Sequence, residues 1–238
     1  MALPAGERDA ADVDVDLDTS HTGSDFATAE RLRLAAATRD LVDAVVSTRG
    51  VDDATLARAA DAVSRVVDDL RATDTGPGAF DLERSHREYE HRSPLVGRAS
   101  PVAPPFTWRT SGDRVQADGA FPTACEGPPG YVHGGWVALA FDEILGLANA
   151  VAGHPGMTGR LTVRYRRPTP LRRDVRFTGW VERVDGRRIV TRATLEADGT
   201  VTAEAEGLFV QPTAERRREY FGNDAVSTEE PPSRSAEA

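Results

Sequence analysis

Lysine is absent from this 238-residue chain, since all 29 basic residues are arginine, and a single cysteine, Cys125, occurs. The arginine-only usage points to a GC-rich genome rather than to a function, because the arginines are spread along the chain. One cysteine excludes an internal disulfide and any Cys-rich zinc site. No stretch approaches the roughly 18 apolar residues of a membrane helix, and the start lacks the basic-then-apolar order of a secretory signal. A cytoplasmic protein without a membrane partner is therefore expected. No G-x-S-x-G elbow, phosphate loop or dinucleotide-binding glycine fingerprint is found, which removes the common hydrolase and nucleotide-enzyme classes. The net charge of −9 argues against nucleic acid as a partner.

What is present predicts one domain with a substantial core plus extensions that lie outside it, at 39% hydrophobic content. Residues 1–25 hold seven acids (Glu7, Asp9, Asp12, Asp14, Asp16, Asp18, Asp25) against Arg8, so six of the nine net negative charges lie there. That segment reads as a disordered acidic tail. Over 26–75, Leu34, Leu41, Val42 and Val45 form one helical stripe ending at Gly50. Leu56, Ala59, Ala60, Val63, Val67 and Leu70 form a second after Asp52 and Asp53 as candidate caps. A helical hairpin extension is expected, its stripes needing a partner, because two short helices rarely fold alone. Residues 76–105, with the run from Pro94 to Pro105, read as an extended linker, and 213–238 as a polar disordered tail.

The densest chemistry lies in Glu126-Gly127-Pro128-Pro129-Gly130-Tyr131-Val132-His133-Gly134-Gly135, which opens an apolar helix at Trp136. Glycines at a helix start expose backbone N–H groups that have no helical partner, and the helix dipole favours negative charge there. Such donors make an oxyanion hole for acyl transfer. Val137, Ala140, Phe141, Ile144, Leu145 and Ala148 form the core-facing stripe of the helix. Asp142 falls roughly 120° from that stripe, beside Ala138, Leu139, Gly146 and Asn149. That second face is small and mostly apolar, so Asp142 is expected to be partly buried and able to supply a base. The competing reading makes Asp142 and Glu143 the solvated face of an amphipathic helix.

With His133-Gly134-Gly135, Asp142 nine residues after the histidine, Met157-Thr158 and Tyr165-Arg166-Arg167-Pro168-Thr169-Pro170-Leu171 in this order, residues 106–212 resemble the acyl-coenzyme A thioesterases of the hotdog superfamily. The likeness is to the branch typified by the phenylacetate-pathway thioesterase, whose long-chain members share the EGPPG-aromatic-x-HGG loop. The resemblance implies that the Gly134 N–H polarises the thioester carbonyl, Asp142 acts as general base or nucleophile, Thr158 positions water and His133 orients the loop. It puts Gly135, Trp136 and Glu126 at the substrate. Some relatives carry asparagine where this chain has Gly127, and a small residue where it has Trp136. The resemblance further implies acyl-CoA as substrate, no metal or redox cofactor, and a homodimer or homotetramer with sites between protomers. A non-catalytic acyl-CoA-binding or regulatory protein is the alternative, and a hydratase a weaker one.

The flanking pattern agrees on architecture. Leu161, Val163 and Tyr165 alternate with polar neighbours, as do Val175, Phe177 and Val181, then Ile189, Ala193 and Leu195, then Val201, Ala203, Ala205 and Phe209. Asp185-Gly186 and Asp198-Gly199 are hairpin signals that join the last three strands as a meander. Phe106–Thr110 and Val115–Phe121 add two strands around Ser111-Gly112-Asp113. One long helix packed on a curved antiparallel sheet is an α+β arrangement, the hotdog fold that the resemblance implies. Cys125 reads as a packed thiol rather than a nucleophile, having no base near it in sequence. His86 and His91 are too widely spaced to share a helix face as metal ligands. His154 falls in a turn. The arginines around Arg166 and Arg167 are candidates for the phosphates of coenzyme A, because guanidinium forks match phosphate oxygens, against a reading as solvated strand-edge charges.

Overall fold

A computed structural model of the protein describes residues 27–74 and 91–221. The acidic tail at 1–25, His86, Gly76-Pro77-Gly78 and residues 222–238 lie outside the described residues.

Six strands form one antiparallel sheet: β1 Thr107–Ser111, β2 Arg114–Gly119, β3 Met157–Tyr165, β4 Val175–Asp185, β5 Arg188–Ala197 and β6 Thr200–Val210. Their order is β1-β2-β4-β5-β6-β3, which leaves β1 and β3 at the edges. The meander β4-β5-β6 follows the expected turns, with Asp198 and Gly199 both at positive φ, as a tight twisted hairpin requires. Register shifts near Thr158, Arg183 and Glu196 put bulges into three of the pairings and bend the sheet.

Across the sheet lies the long helix expected from the apolar stripe. Three α-helices precede or cross the sheet: α1 Ala29–Ser47, α2 Asp53–Ala72 and α3 Gly134–Val151. Val137, Ala140, Phe141, Ile144, Leu145 and Ala148 of α3 are all buried. They meet Phe177, Ile189, Ala193, Leu195 and Phe209 of the sheet, and Phe141 stands edge-on to Phe177 at 5.3 Å. Gly179 is what lets α3 lie so close, since a Cβ there would come 2.8 Å from Ile144. Asn149 is buried as well and accepts a hydrogen bond from the Thr191 hydroxyl of β5. By length and composition alone this 18-residue helix is apolar enough to cross a membrane, which the sequence reading had not expected. Here its apolar side is spent on the sheet.

Two expectations are corrected, and the hairpin stripes find no cover among the described residues. The run from Pro94 to Pro105 is no extended linker: Ser93, Leu95, Val96, Ala99, Ser100 and Ala103 are buried. The prolines shape turns whose apolar side chains join the core, and Ser93 Oγ donates to Glu143 Oε1 at 2.7 Å. The polar C-terminal segment begins with a helix, α4 Ala214–Phe221, whose start is capped by the Thr213 hydroxyl accepting from Arg216 N–H. The stripes of α1 and α2 are turned outward, with Leu41, Val45, Leu56, Val63 and Leu70 all exposed. Besides the buried Ala35, α1 docks through polar contacts. Arg39 donates to the Ser100 carbonyl at 2.8 Å, and Asp43 accepts from the Thr123 N–H at 2.8 Å. No residue of α2 is buried.

Candidate functional site

The loop ahead of α3 is held on all sides. Glu126 bridges to Val132 and Tyr131 to Pro170, and the Val132 N–H donates to the Thr169 carbonyl. Gly130, at φ +80°, makes a turn that other residues rarely adopt. Glu126 Oε1 accepts from the Gly130 N–H at 2.8 Å, so this exposed carboxylate helps to organise the loop. Gly127 fills the position where some relatives carry asparagine, and a Cβ there would come 2.7 Å from the Cα of His133. A larger residue would push the histidine out of place.

His133 is the N-cap of α3 in extended geometry, and its Nδ1 accepts from the Gly135 N–H at 2.9 Å. Its ring proton is therefore on Nε2. Gly135 is thereby engaged, whereas the Gly134 N–H has no acceptor among the described residues. Of the two glycines, Gly134 is the one whose N–H is left free to meet an oxyanion. Tyr165 of β3, which the sequence marked as a half-buried strand residue and as the start of a motif shared with the family but gave no role, is 52% exposed and donates from its hydroxyl to the Gly134 carbonyl at 2.7 Å. Burial of the phenol oxygen pushes its pKa up. Alternation along the strand could not have found this role, because the ring reaches off the strand to the helix start.

Asp142 is half-buried on α3, and its Oδ1 accepts from the Thr158 hydroxyl at 2.9 Å. The two residues come together although 16 positions separate them. Thr158 is exposed at the start of β3. Trp136 packs against the core from the first turn of α3. The structure does not bring Asp142 to Gly134. Eight residues of helix separate them, about 12 Å along the axis. A carbonyl at Gly134 and its attacking water span only about half that distance, at hydrogen-bond lengths near 3 Å. Within one chain the two groups therefore stand apart.

Arg166 is paired with Glu204 at 2.8 Å, whereas Arg167 is exposed and has no carboxylate partner among the described residues. Cys125 is buried, and that burial, with the charge of Asp43 second, pushes its thiol up to about 12. A thiol so held is no nucleophile at neutral pH, as the sequence reading expected. Among the described residues no cluster of potential metal ligands occurs.

A family model described as the thioesterase superfamily matches residues 129–204, which span the loop, α3 and the strands up to β6. A crystal structure of a thioesterase superfamily protein is 32% identical to this chain, with a TM-score of 0.69, over 76% of this chain and 90% of that one. The chain belongs to the thioesterase superfamily. Its fold is the hotdog, with α3 as the helix that the sheet wraps. Among curated relatives of this superfamily member, the acyl-coenzyme A thioesterase THEM4 of Xenopus laevis is 35% identical over 88 residues, 36% of this chain and 40% of that protein. The THEM4 of Mus musculus is 30% identical over 93 residues, 38% of this chain and 40% of its own length. The chain thus spans about 40% of the length of these relatives.

Proposed function

We propose that the protein hydrolyses acyl-CoA thioesters to free acid and coenzyme A, in the manner of the phenylacetate-pathway branch. The pairing of Asp142 with Thr158 carries this reading, together with a helix start whose Gly134 N–H lacks an acceptor among the described residues. Relatives named acyl-coenzyme A thioesterases support it. Water attacks the thioester carbonyl carbon while Asp142 takes its proton, and the Gly134 N–H carries the charge that develops on oxygen. Thr158 fixes the carboxylate and offers a lone pair to the water. Collapse breaks the C–S bond, and the proton passes from Asp142 to the departing thiolate. Arg167 is the arginine best placed to meet coenzyme A phosphate, because Glu204 already occupies the fork of Arg166.

The roughly 12 Å between Gly134 and Asp142 supports a reading in which they are half-sites that complete each other across two copies. Edge strand β3 has unpaired backbone groups on its outer side and exposes Met157. A homodimer formed across it, whose two α3 helices run antiparallel, sets the Gly134 of one protomer near the Asp142 of its partner.

The test is thiol release from short, medium, long and aromatic acyl-CoA substrates. Turnover at enzyme-level rates on any of them supports hydrolysis. Saturable acyl-CoA binding to the folded protein with no turnover, also on carrier-protein thioesters, would replace it with a binding module.

A further inference from the structure

The two glycines that open α3 create a problem of their own. Without Cβ atoms, Gly134 and Gly135 restrain the backbone weakly at the very point where one N–H must be aimed. The peptide unit between them is held at both ends. Its carbonyl, on Gly134, accepts from the Tyr165 hydroxyl at 2.7 Å, and its N–H, on Gly135, donates to His133 Nδ1 at 2.9 Å. The fit is tight. A Cβ on Gly134 would lie 3.3 Å from the Tyr165 oxygen, and one on Gly135 would lie 3.0 Å from His133 Nδ1.

Core packing does not explain the tyrosine. It stands half-exposed at the end of an edge strand, and its hydroxyl reaches a helix start 31 positions earlier in the chain. The other end of the same strand carries Thr158, which holds Asp142. Strand β3 therefore grips α3 at both of the points that the reaction needs. A phenol keeps its proton throughout the neutral range, and partial burial here pushes its pKa further up.

We infer that Tyr165 is a positioning residue, which together with His133 clamps the Gly134–Gly135 peptide unit so that the Gly134 N–H faces the substrate carbonyl. This rests on the thioesterase reading for its consequence in turnover, but its geometric part can be read separately. The experiment compares the full-length protein with Tyr165→Phe, which removes one oxygen and keeps the ring. Thiol release from the acyl-CoA panel gives kcat and KM, and glycine-selective 15N labelling follows the Gly134 and Gly135 amides. The expected result is a kcat lower by about three- to tenfold, the range of one net hydrogen bond, with KM within about twofold and displaced or broadened resonances for both amides. Wild-type kcat, or unmoved amide resonances, would overturn the inference. A fall in Tm of more than about 8 °C would also overturn it, by marking Tyr165 as a stability residue. If the wild-type protein releases no thiol, the thioesterase reading fails and the amide resonances alone decide the clamp.

Discussion

Helices α2 and α3 have nearly equal lengths, 20 and 18 residues, and opposite fates. Seven residues of α3 are buried, and none of α2. Both carry an apolar stripe at helical spacing, so the stripe does not decide burial. The difference is what faces it. The α3 stripe meets a sheet whose inner side supplies Phe177, Leu195 and Phe209, with Gly179 making room for close approach. The α2 stripe is not buried by any of the described residues, and its order is local: the Asp52 side chain accepts from the Thr55 N–H, and Arg71 sits in the last turn where the helix dipole favours a cation. That hydrogen bond to Thr55 also holds the Asp52 carboxyl below its usual range. A packed helix can position chemistry to within a hydrogen bond, and α3 holds Gly134 and Asp142 where β3 can reach both.

The largest effect that would break this contrast concerns Asp142. Asp142→Asn keeps size but removes the basic lone pair, and turnover is expected to fall about 100- to 10,000-fold with KM largely unchanged. Steady-state kinetics on the best acyl-CoA substrate checks this, and a folded variant with wild-type kcat would reduce α3 to a structural helix. Thr158→Ala should lower kcat less, on the order of tenfold, since only one hydrogen bond to a charged group is lost.

Next in size is the stability contrast itself. Ile144→Ala in α3 is expected to cost about 2–5 kcal/mol by denaturant unfolding, the range for a fully buried aliphatic side chain. The matching Val63→Ala in α2 should cost less than about 0.5 kcal/mol. Equal losses would mean that α2 is covered in the protein as it exists in solution, most simply by another copy.

The smallest effect concerns the docking of α1. Because burial pushes the Cys125 thiol up to about 12, the folded chain keeps a proton that the unfolded chain loses near pH 8.5. Between those values the unfolded state binds fewer protons, so stability falls as pH rises through that window and is fully present below it. Cys125→Ala should flatten this alkaline limb in unfolding experiments from pH 8 to 10.5. The same thiol should stay silent toward thiol reagents at pH 8 until the protein is unfolded. A native Cys125 that reacts at once would show that the segment behind α1 opens freely.

Much of the architecture was legible in the chain. Alternation named the strands, Asp198-Gly199 named a hairpin, and the stripe from Val137 to Ala148 chose the buried side of α3. Each is a local rule, in which spacing or a permitted φ decides the outcome. The errors share a cause. The run from Pro94 to Pro105 was read by its prolines, although Leu95, Val96, Ala99 and Ala103 had apolar surface to bury and the core had space for it. Residues 213–238 were read by their polarity as disordered, although Ala214–Phe221 form a helix that Thr213 caps.

By itself the sequence determined that a glycine pair would open an apolar helix and that a carboxylate would follow on its less apolar face, because helical geometry ties angle to residue count. Only tertiary structure decided which glycine keeps a free N–H, that Thr158 rather than solvent meets Asp142, and that Tyr165 reaches the helix start. Those contacts join residues 16 and 31 positions apart through the fold of an edge strand. No periodicity encodes them, since they depend on where two packed elements happen to cross.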